Sequence, residues 1–380
     1  MGHAIGTFIP LRPHRFTPIG RLRSVVRRAV WTVFRPTPGG IVRRLMDDHD
    51  VPALALAIAK GGTIVFSEGF GYADPQKHDK VTADSLFRIA SNSKAITAAA
   101  IHLLAERGVL SLSDRVFGAG GILGTTYGSR PYSNWLEQIE VRHLLEHSAG
   151  GWGSGSNDPM FQSPQLGHAA LIGATLDAGL LKRPPGVEFI YSNFGYCLLG
   201  RIIERRTDQS YDDFVRRSVL TPAGAHAMRI AQDTLAGRAP GEVVYVSAGG
   251  GSPYDQPVRR MDSHGGWISS APDYVRVLIA IDAPPTPPDL LAAASVTTMR
   301  TRSMAAGAGD YGQGVATNGT NVWHNGLLRG SRSVMWGGTN GDAWCVVCTG
   351  GPEPGSKGKK KSDPLLEALD TMMWRLWDMV

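Results

Sequence analysis

The sequence is poor in cysteine, in long apolar runs and in any marker of export. Three cysteines in 380 residues, Cys197, Cys345 and Cys348, are an odd and sparse set. They suit reduced thiols in a cytosolic compartment better than a disulfide framework. Cys345 and Cys348 have the spacing of a metal or redox pair, but they fall in an expected strand, Ala343–Thr349, where residues three apart face opposite sides. With no second Cys/His pair nearby, neither a metal site nor a cofactor is expected. The longest apolar stretch near the start, Ala53–Ala59, is far too short to cross a bilayer. No basic-then-apolar segment ending in small residues marks a secretory signal, so the expected location is cytoplasmic.

Acid is missing from residues 1–46, which carry nine arginines. Taking those nine from the net charge of +6 leaves the remaining 334 residues at −3. A body of that charge is no nucleic-acid-binding surface. Within the arm, Ile19–Phe34 repeats apolar positions at helical spacing with arginines between them. It reads first as a helix docked on the body with its arginines in water, and second as a segment touching an anionic membrane. A second basic cluster, Lys357–Lys361, sits among glycines and reads as a solvated loop.

What the chain does have is an interrupted pattern of strands and helices. Ile41–Asp48 reads as a short helix, and Ala53–Ala59 and Thr63–Phe70 as two strands joined across Lys60-Gly61-Gly62. Helical periodicity follows at Ala95–Glu106, Val141–His147, His168–Ala178, Gly195–Arg206, Tyr211–Val219 and Ala271–Asp282. The proline-rich Ala283–Pro288 reads as a linker, Val322–His324, Ser331–Gly337 and Ala343–Thr349 as strands, and Pro364–Val380 as a closing helix. Strands at both ends with helices between them predict an α/β fold of the α+β kind, an antiparallel sheet flanked by helices and assembled from the two termini. The expected division is a basic extension over 1–40, a sheet domain from 41–117 and 266–380, and an inserted all-helical domain over 118–265.

Ser91 and Lys94 lie three residues apart at the start of a helical run, so both project from one face. A serine hydroxyl attacks only when something takes its proton, and a desolvated amine near a helix N-terminus releases its own proton more readily. Alone the pair also fits a capping serine and a solvated lysine. Tyr191-Ser192-Asn193 adds a phenol and a carboxamide at a loop-to-helix junction. A tyrosine beside a lysine ammonium is held partly as phenolate and can shuttle a proton, while an asparagine amide can orient a carbonyl and the lysine. Trp323-His324-Asn325-Gly326 ends a strand with an imidazole beside a glycine, which lets an acyl group approach the strand edge.

Ser-x-x-Lys at 91–94, Tyr-x-Asn at 191–193 and His-x-Gly at 324–326, in that order, resemble the serine β-lactamase-like and penicillin-recognising enzymes. The nearest branch is that of class C β-lactamases, D-aminopeptidases and carboxylesterases. Val51-Pro52-Ala53, Phe87–Lys94, Leu144–Gly150, Tyr191–Gly200 and Gly265–Ser270 also fall in family order, so the resemblance covers roughly residues 41–380. It implies that Ser91 is acylated, that Lys94 and Tyr191 share the role of general base, and that Asn193 holds the substrate's amide or acyl oxygen. It also implies an oxyanion hole from the backbone N–H groups of Ser91 and Leu327, with His324 in support and Asn325 and Gly326 lining the substrate site. Trp152, Trp267 and Trp323 are candidate walls of a pocket, or else core.

Two departures narrow the activity. Penicillin-directed members carry a lysine where this chain has His324, and a histidine is largely neutral near pH 7. The second is the absence of a recognisable signal. The reading is therefore a hydrolase of a small-molecule ester or amide working through an acyl-enzyme. The alternatives are a transacylase handing the acyl group to an amine or alcohol, as in natural-product and antibiotic biosynthesis, a β-lactamase or D-peptidase, and a silent binding scaffold.

Overall fold

A computed structural model of the protein describes residues 37–247, 251–282, 289–351 and 363–380. The arm Ile19–Phe34, the linker Ala283–Pro288 and the cluster Lys357–Lys361 lie outside the described residues. Among the described residues there are ten strands: β1 (Ala53–Lys60), β2 (Thr63–Asp74), β3 (Asp79–Lys80), β4 (Phe87–Arg88), β5 (Arg229–Ile230), β6 (Trp267–Ser269), β7 (Ala316–Thr317), β8 (Val322–Leu328), β9 (Ser331–Gly337) and β10 (Ala343–Thr349). Seven form one antiparallel sheet in the order β3-β2-β1-β10-β9-β8-β7, so the two ends of the chain meet at the β1–β10 seam. The remaining three form a small sheet, β4-β6-β5. Gly61 and Gly62, at φ +56° and +78°, make the two-residue turn between β1 and β2, where both central residues need positive φ.

Alternation along β1 explains how the sheet is sandwiched. Ala53, Ala55, Ala57 and Ala59 point to one side, where their small size admits the helix Ala271–Ala280. Leu54, Leu56 and Ile58 point to the other, into a cluster with Trp344, Val346 and the terminal helices Pro38–Asp48 and Pro364–Trp377. Each of these three is fully buried, which stabilises the fold by about 1.5–3 kcal/mol per side chain. Cys345 and Cys348 separate in the same way, one into each cluster. The last helix is tied to β9 by a buried ion pair, Arg332 Nε to Asp363 Oδ2 at 3.0 Å, and Asp363 also caps it by accepting from Leu365 N and Leu366 N.

The section 118–265 carries the helices Val141–Leu145, His168–Asp177, Asn193–Thr207 and Tyr211–Val215. It is not purely helical, because β5 pairs with β6. A two-residue strand is too short to leave a period in the sequence. The expected helix to Val219 changes at Arg216 into a π turn, closed by Thr221 N donating to Arg216 O at 2.9 Å. β8 extends past His324 to Leu328, and the helix expected from Gly195 begins at Asn193 because Ser192 caps it, accepting from Gly195 N at 3.0 Å.

Candidate active site

Ser91 sits in a single 3₁₀ turn, Ala90–Asn92, that leads into the helix Ser93–Glu106, with Lys94 in that helix's first turn. Ala90 adopts φ +48°, a left-handed conformation costly for a residue with a Cβ, so the surroundings must impose it. They do so from three sides. Ser331 Oγ donates to Arg88 O at 2.6 Å and Ser333 Oγ to Ile89 O at 2.7 Å, while Ile89 N donates to Trp267 O at 3.1 Å. A Cβ on Gly326 would overlap Ile89 O and Ser333 Oγ. That glycine therefore admits the turn that carries Ser91.

Lys94 is fully buried, and its Nζ has three neighbours: Asn193 Oδ1 at 2.7 Å, His264 O at 2.9 Å and Ser91 Oγ at 3.1 Å. Desolvation pushes its pKa well below the usual lysine range, against the opposing charge of Asp158. Two of the three neighbours, an amide oxygen and a carbonyl, only accept. A neutral amine has two N–H donors and one lone pair. As the ammonium, Nζ donates to all three; once it loses a proton, donors kept on Asn193 and His264 would leave the lone pair to face Ser91 Oγ.

Asn193 is held in turn. Its Nδ2 donates to Asp158 Oδ2 at 2.7 Å, so the amide joins Lys94 to Asp158, and the residue also borders the cavity beside Ser91. Asp158 is buried and also accepts from Met160 N at 2.9 Å; burial raises its carboxyl to about 6, against the pull of these hydrogen bonds and of Lys94. Sequence reasoning missed Asp158. Its local signal, an acid before Pro159, marks only a helix cap.

Tyr191 stands against Ser91, with Lys94 Nζ 4.8 Å from its ring centroid. Burial drives its phenol pKa up, and contact with Ser91 offsets this only in part. The expected phenolate is thus disfavoured by burial, to which the negative charge of Asp158 adds. His324 is buried, and burial pushes its pKa down to about 3. Its Nδ1 lies 2.6 Å from Asn325 O and its Nε2 3.3 Å from Tyr311 Oη, so both ring nitrogens face protein partners. Asn325 follows on the same strand and therefore turns its side chain to the opposite face.

Leu327 and Ser91 border one cavity of only about 10 Å³, shared with Phe161, Met261, Gly265 and Leu328. The tryptophans lie elsewhere. Trp267 is core, with Nε1 donating to Tyr211 Oη at 3.0 Å, and only its backbone reaches the nucleophile turn. Trp152 packs on Phe194 with centroids 4.9 Å apart and borders a separate cavity of about 350 Å³ with Tyr132 and Leu181. Trp323 neighbours His324 on β8 and so leaves the strand on the other face.

A serine turn packed against a seven-stranded antiparallel sheet flanked by helices, with a buried lysine one turn on, places the protein in the class of β-lactamase-type α/β folds. The sequence model of the family described as Beta-lactamase matches residues 40–368, and the chain belongs to that family. Penicillin-binding protein 4* of Bacillus subtilis (strain 168) is 32% identical over 198 residues, 49% of this chain and 39% of that protein. Protein flp of Staphylococcus aureus (strain NCTC 8325 / PS 47) is 31% identical over 182 residues, 48% of this chain and 35% of that protein. The chain thus spans well under half the length of these relatives. Among solved structures, D-amino acid amidase from Ochrobactrum anthropi SV3, complexed with L-phenylalanine amide, superposes with a TM-score of 0.68 at 22% identity, over 90% of this chain and 97% of that one. The octameric penicillin-binding protein homologue from Pyrococcus abyssi gives 0.69 at 22% identity, over 89% and 77%. These structures share the fold. No helix among the described residues is long and apolar enough to cross a membrane.

Proposed function

We propose that the protein is a serine acyl-enzyme hydrolase that cleaves an ester or amide bond of a small molecule. The observation that carries this reading is the environment of Lys94 Nζ, whose two acceptor-only neighbours leave a lone pair for the Ser91 proton. Lys94 takes that proton as Ser91 Oγ attacks the carbonyl carbon. The oxyanion that forms is met by the N–H groups of Ser91 and Leu327, which border the same cavity. Tyr191, kept as a neutral phenol by burial, gives its proton to the departing oxygen or nitrogen and recovers one from the Lys94 ammonium. Water then repeats the sequence on the acyl-enzyme. His324 offers no positive charge for a substrate carboxylate, which argues against a β-lactamase or D-peptidase role. The intact Lys94 arrangement argues against a silent scaffold.

A second reading rests on the apolar wall of Phe161, Met261 and Leu328 around Ser91. Such a wall keeps water from the acyl-enzyme and favours transfer to an amine or alcohol, the transacylase chemistry of natural-product assembly. One experiment tests both. Wild type and Ser91→Ala are incubated with p-nitrophenyl acetate, with and without an amine, and protein and products are weighed by mass spectrometry. An acyl adduct on wild type that is absent from Ser91→Ala is expected. Equal turnover by the two proteins removes Ser91 from its role, and amide in excess of free acid selects transfer over hydrolysis.

A further inference from the structure

Behind Tyr191 stand a histidine and a tyrosine that the chemistry above does not use. His147 has φ +58°, again a left-handed residue with a side chain, and it holds the backbone of both neighbours of Tyr191. Its carbonyl accepts from Ile190 N at 2.7 Å, its Nδ1 accepts from Ser192 N at 3.1 Å, and its ring lies against that of Tyr191 with centroids 4.2 Å apart. The carbonyl of Tyr191 is fixed as well, taking the N–H of Ser154 at 2.8 Å and its hydroxyl at 2.9 Å.

The direction of the remaining hydrogen bonds follows from which groups can only donate or only accept. A backbone N–H only donates, so His147 Nδ1 is bare. Burial keeps that ring neutral, and its single proton is on Nε2, 3.1 Å from Tyr311 Oη. At the far end the carbonyl of Asn325 only accepts, so His324 Nδ1 carries the proton and its Nε2 is bare. The Tyr311 hydroxyl lies 3.3 Å from that bare nitrogen and donates to it. Tyr196, also beside Tyr311, directs its own proton to Leu145 O at 2.9 Å, and a phenol oxygen is a weaker acceptor than an imidazole nitrogen.

We propose that His147 and Tyr311 are positioning residues, forming with His324 a one-way hydrogen-bond chain that locks the Tyr191 segment to strand β8. The chain runs from Ser192 N–H through His147, Tyr311 and His324 to Asn325 O. It spans two stretches that a substrate must bridge: Tyr191, at the leaving group, and β8, which carries Leu327 at the oxyanion. His324 then acts through Tyr311 rather than on the substrate. The inference rests on the catalytic role of Tyr191 proposed above.

The test uses the full chain in two arms. In the first, nitrogen NMR of isotope-labelled histidine, with His147→Gln and His324→Gln for assignment, reads the tautomers: His147 protonated on Nε2 and His324 on Nδ1. Finding His324 protonated on Nε2, or either ring charged at neutral pH, overturns the chain. In the second arm the rate of Ser91 acylation by p-nitrophenyl acetate is measured in single turnovers. Tyr311→Phe, which keeps the ring and removes one oxygen, is expected to lower that rate about tenfold to a hundredfold with KM within twofold, as for a small misplacement of a catalytic group. The double variant Tyr191→Phe/Tyr311→Phe should be no slower than Tyr191→Phe, because Tyr311 acts only through Tyr191. Additive losses overturn the positioning role. His147→Asn, which retains an acceptor for Ser192 N–H and tolerates positive φ, should keep more activity than His147→Ala; the reverse order also overturns it. An inert wild type instead sinks the acyl-enzyme reading, while the tautomers still judge the chain.

Discussion

Replacing Asp158 by asparagine removes a buried carboxylate while keeping its shape and one acceptor oxygen for Asn193. Burial raises this carboxyl from 3.8 to about 6, a shift of about two pH units. At about 1.4 kcal/mol per unit, the ionised form costs the fold about 3 kcal/mol at neutral pH. A carboxyl raised in the folded state binds its proton more tightly there than in the unfolded chain. Stability is therefore highest below pH 4 as far as this group is concerned, and is lost as pH rises from about 4 through 6. Asp158→Asn lacks that loss. Urea unfolding at pH 4.5 and pH 7.5 should show the variant gaining on wild type by up to about 3 kcal/mol at the higher pH and by much less at the lower. Asp282, raised to about 6 by its own burial, titrates in both proteins and cancels in the comparison. The same substitution removes the negative charge that supports a protonated Lys94, so the acid limb of kcat/KM should move to lower pH. Parallel stability profiles for the two proteins would refute the claim that Asp158 is desolvated and coupled to the lysine.

Lys94→Arg keeps the positive charge and loses the lone pair, because a guanidinium does not deprotonate in proteins. Acylation of Ser91 should fall by about two to four orders of magnitude with no gross change in circular dichroism. Phe161→Ala enlarges the cavity of about 10 Å³ beside Ser91, so the ratio of kcat/KM for p-nitrophenyl butyrate over acetate should rise; an unchanged ratio would remove Phe161 from the wall. Asp363→Ala leaves Arg332 buried and uncompensated and removes the cap of the last helix. Urea unfolding should register a loss of about 3–5 kcal/mol.

The sheet was legible because its strands carry their own period. Alternation along Ala53–Ala59 and Ala343–Thr349 specifies strands buried on both faces, and the glycine pair 61–62 specifies the turn. β5 was not legible, since its two residues, Arg229 and Ile230, belong to a strand only because β6 passes beside them. In the site, Ser91, Lys94 and Tyr191 were legible from their motifs in a recognisable order, and the fold brings the three together. Asp158 and Tyr311 were invisible, because a lone acid before a proline and a lone tyrosine gain meaning only when the chain brings Asn193 and His324 to them. The tryptophans were left between wall and core for a related reason. An indole on a strand reads equally as wall or core, and Tyr211 decides the matter for Trp267.

The contacts that hold Ile89 and Arg88 in place come from Ser333 and Ser331, more than two hundred residues later in the chain. On a translating ribosome the turn bearing Ser91 is made early, yet the contacts that impose the left-handed conformation of Ala90 are complete only when β8 and β9 have emerged and paired. Closing so long a loop is slow and comes late in folding. A nascent or truncated chain therefore carries its serine and lysine without a reactive pair. On the function proposed above, the Ser91–Lys94 pair is set only once β9 is in place behind it.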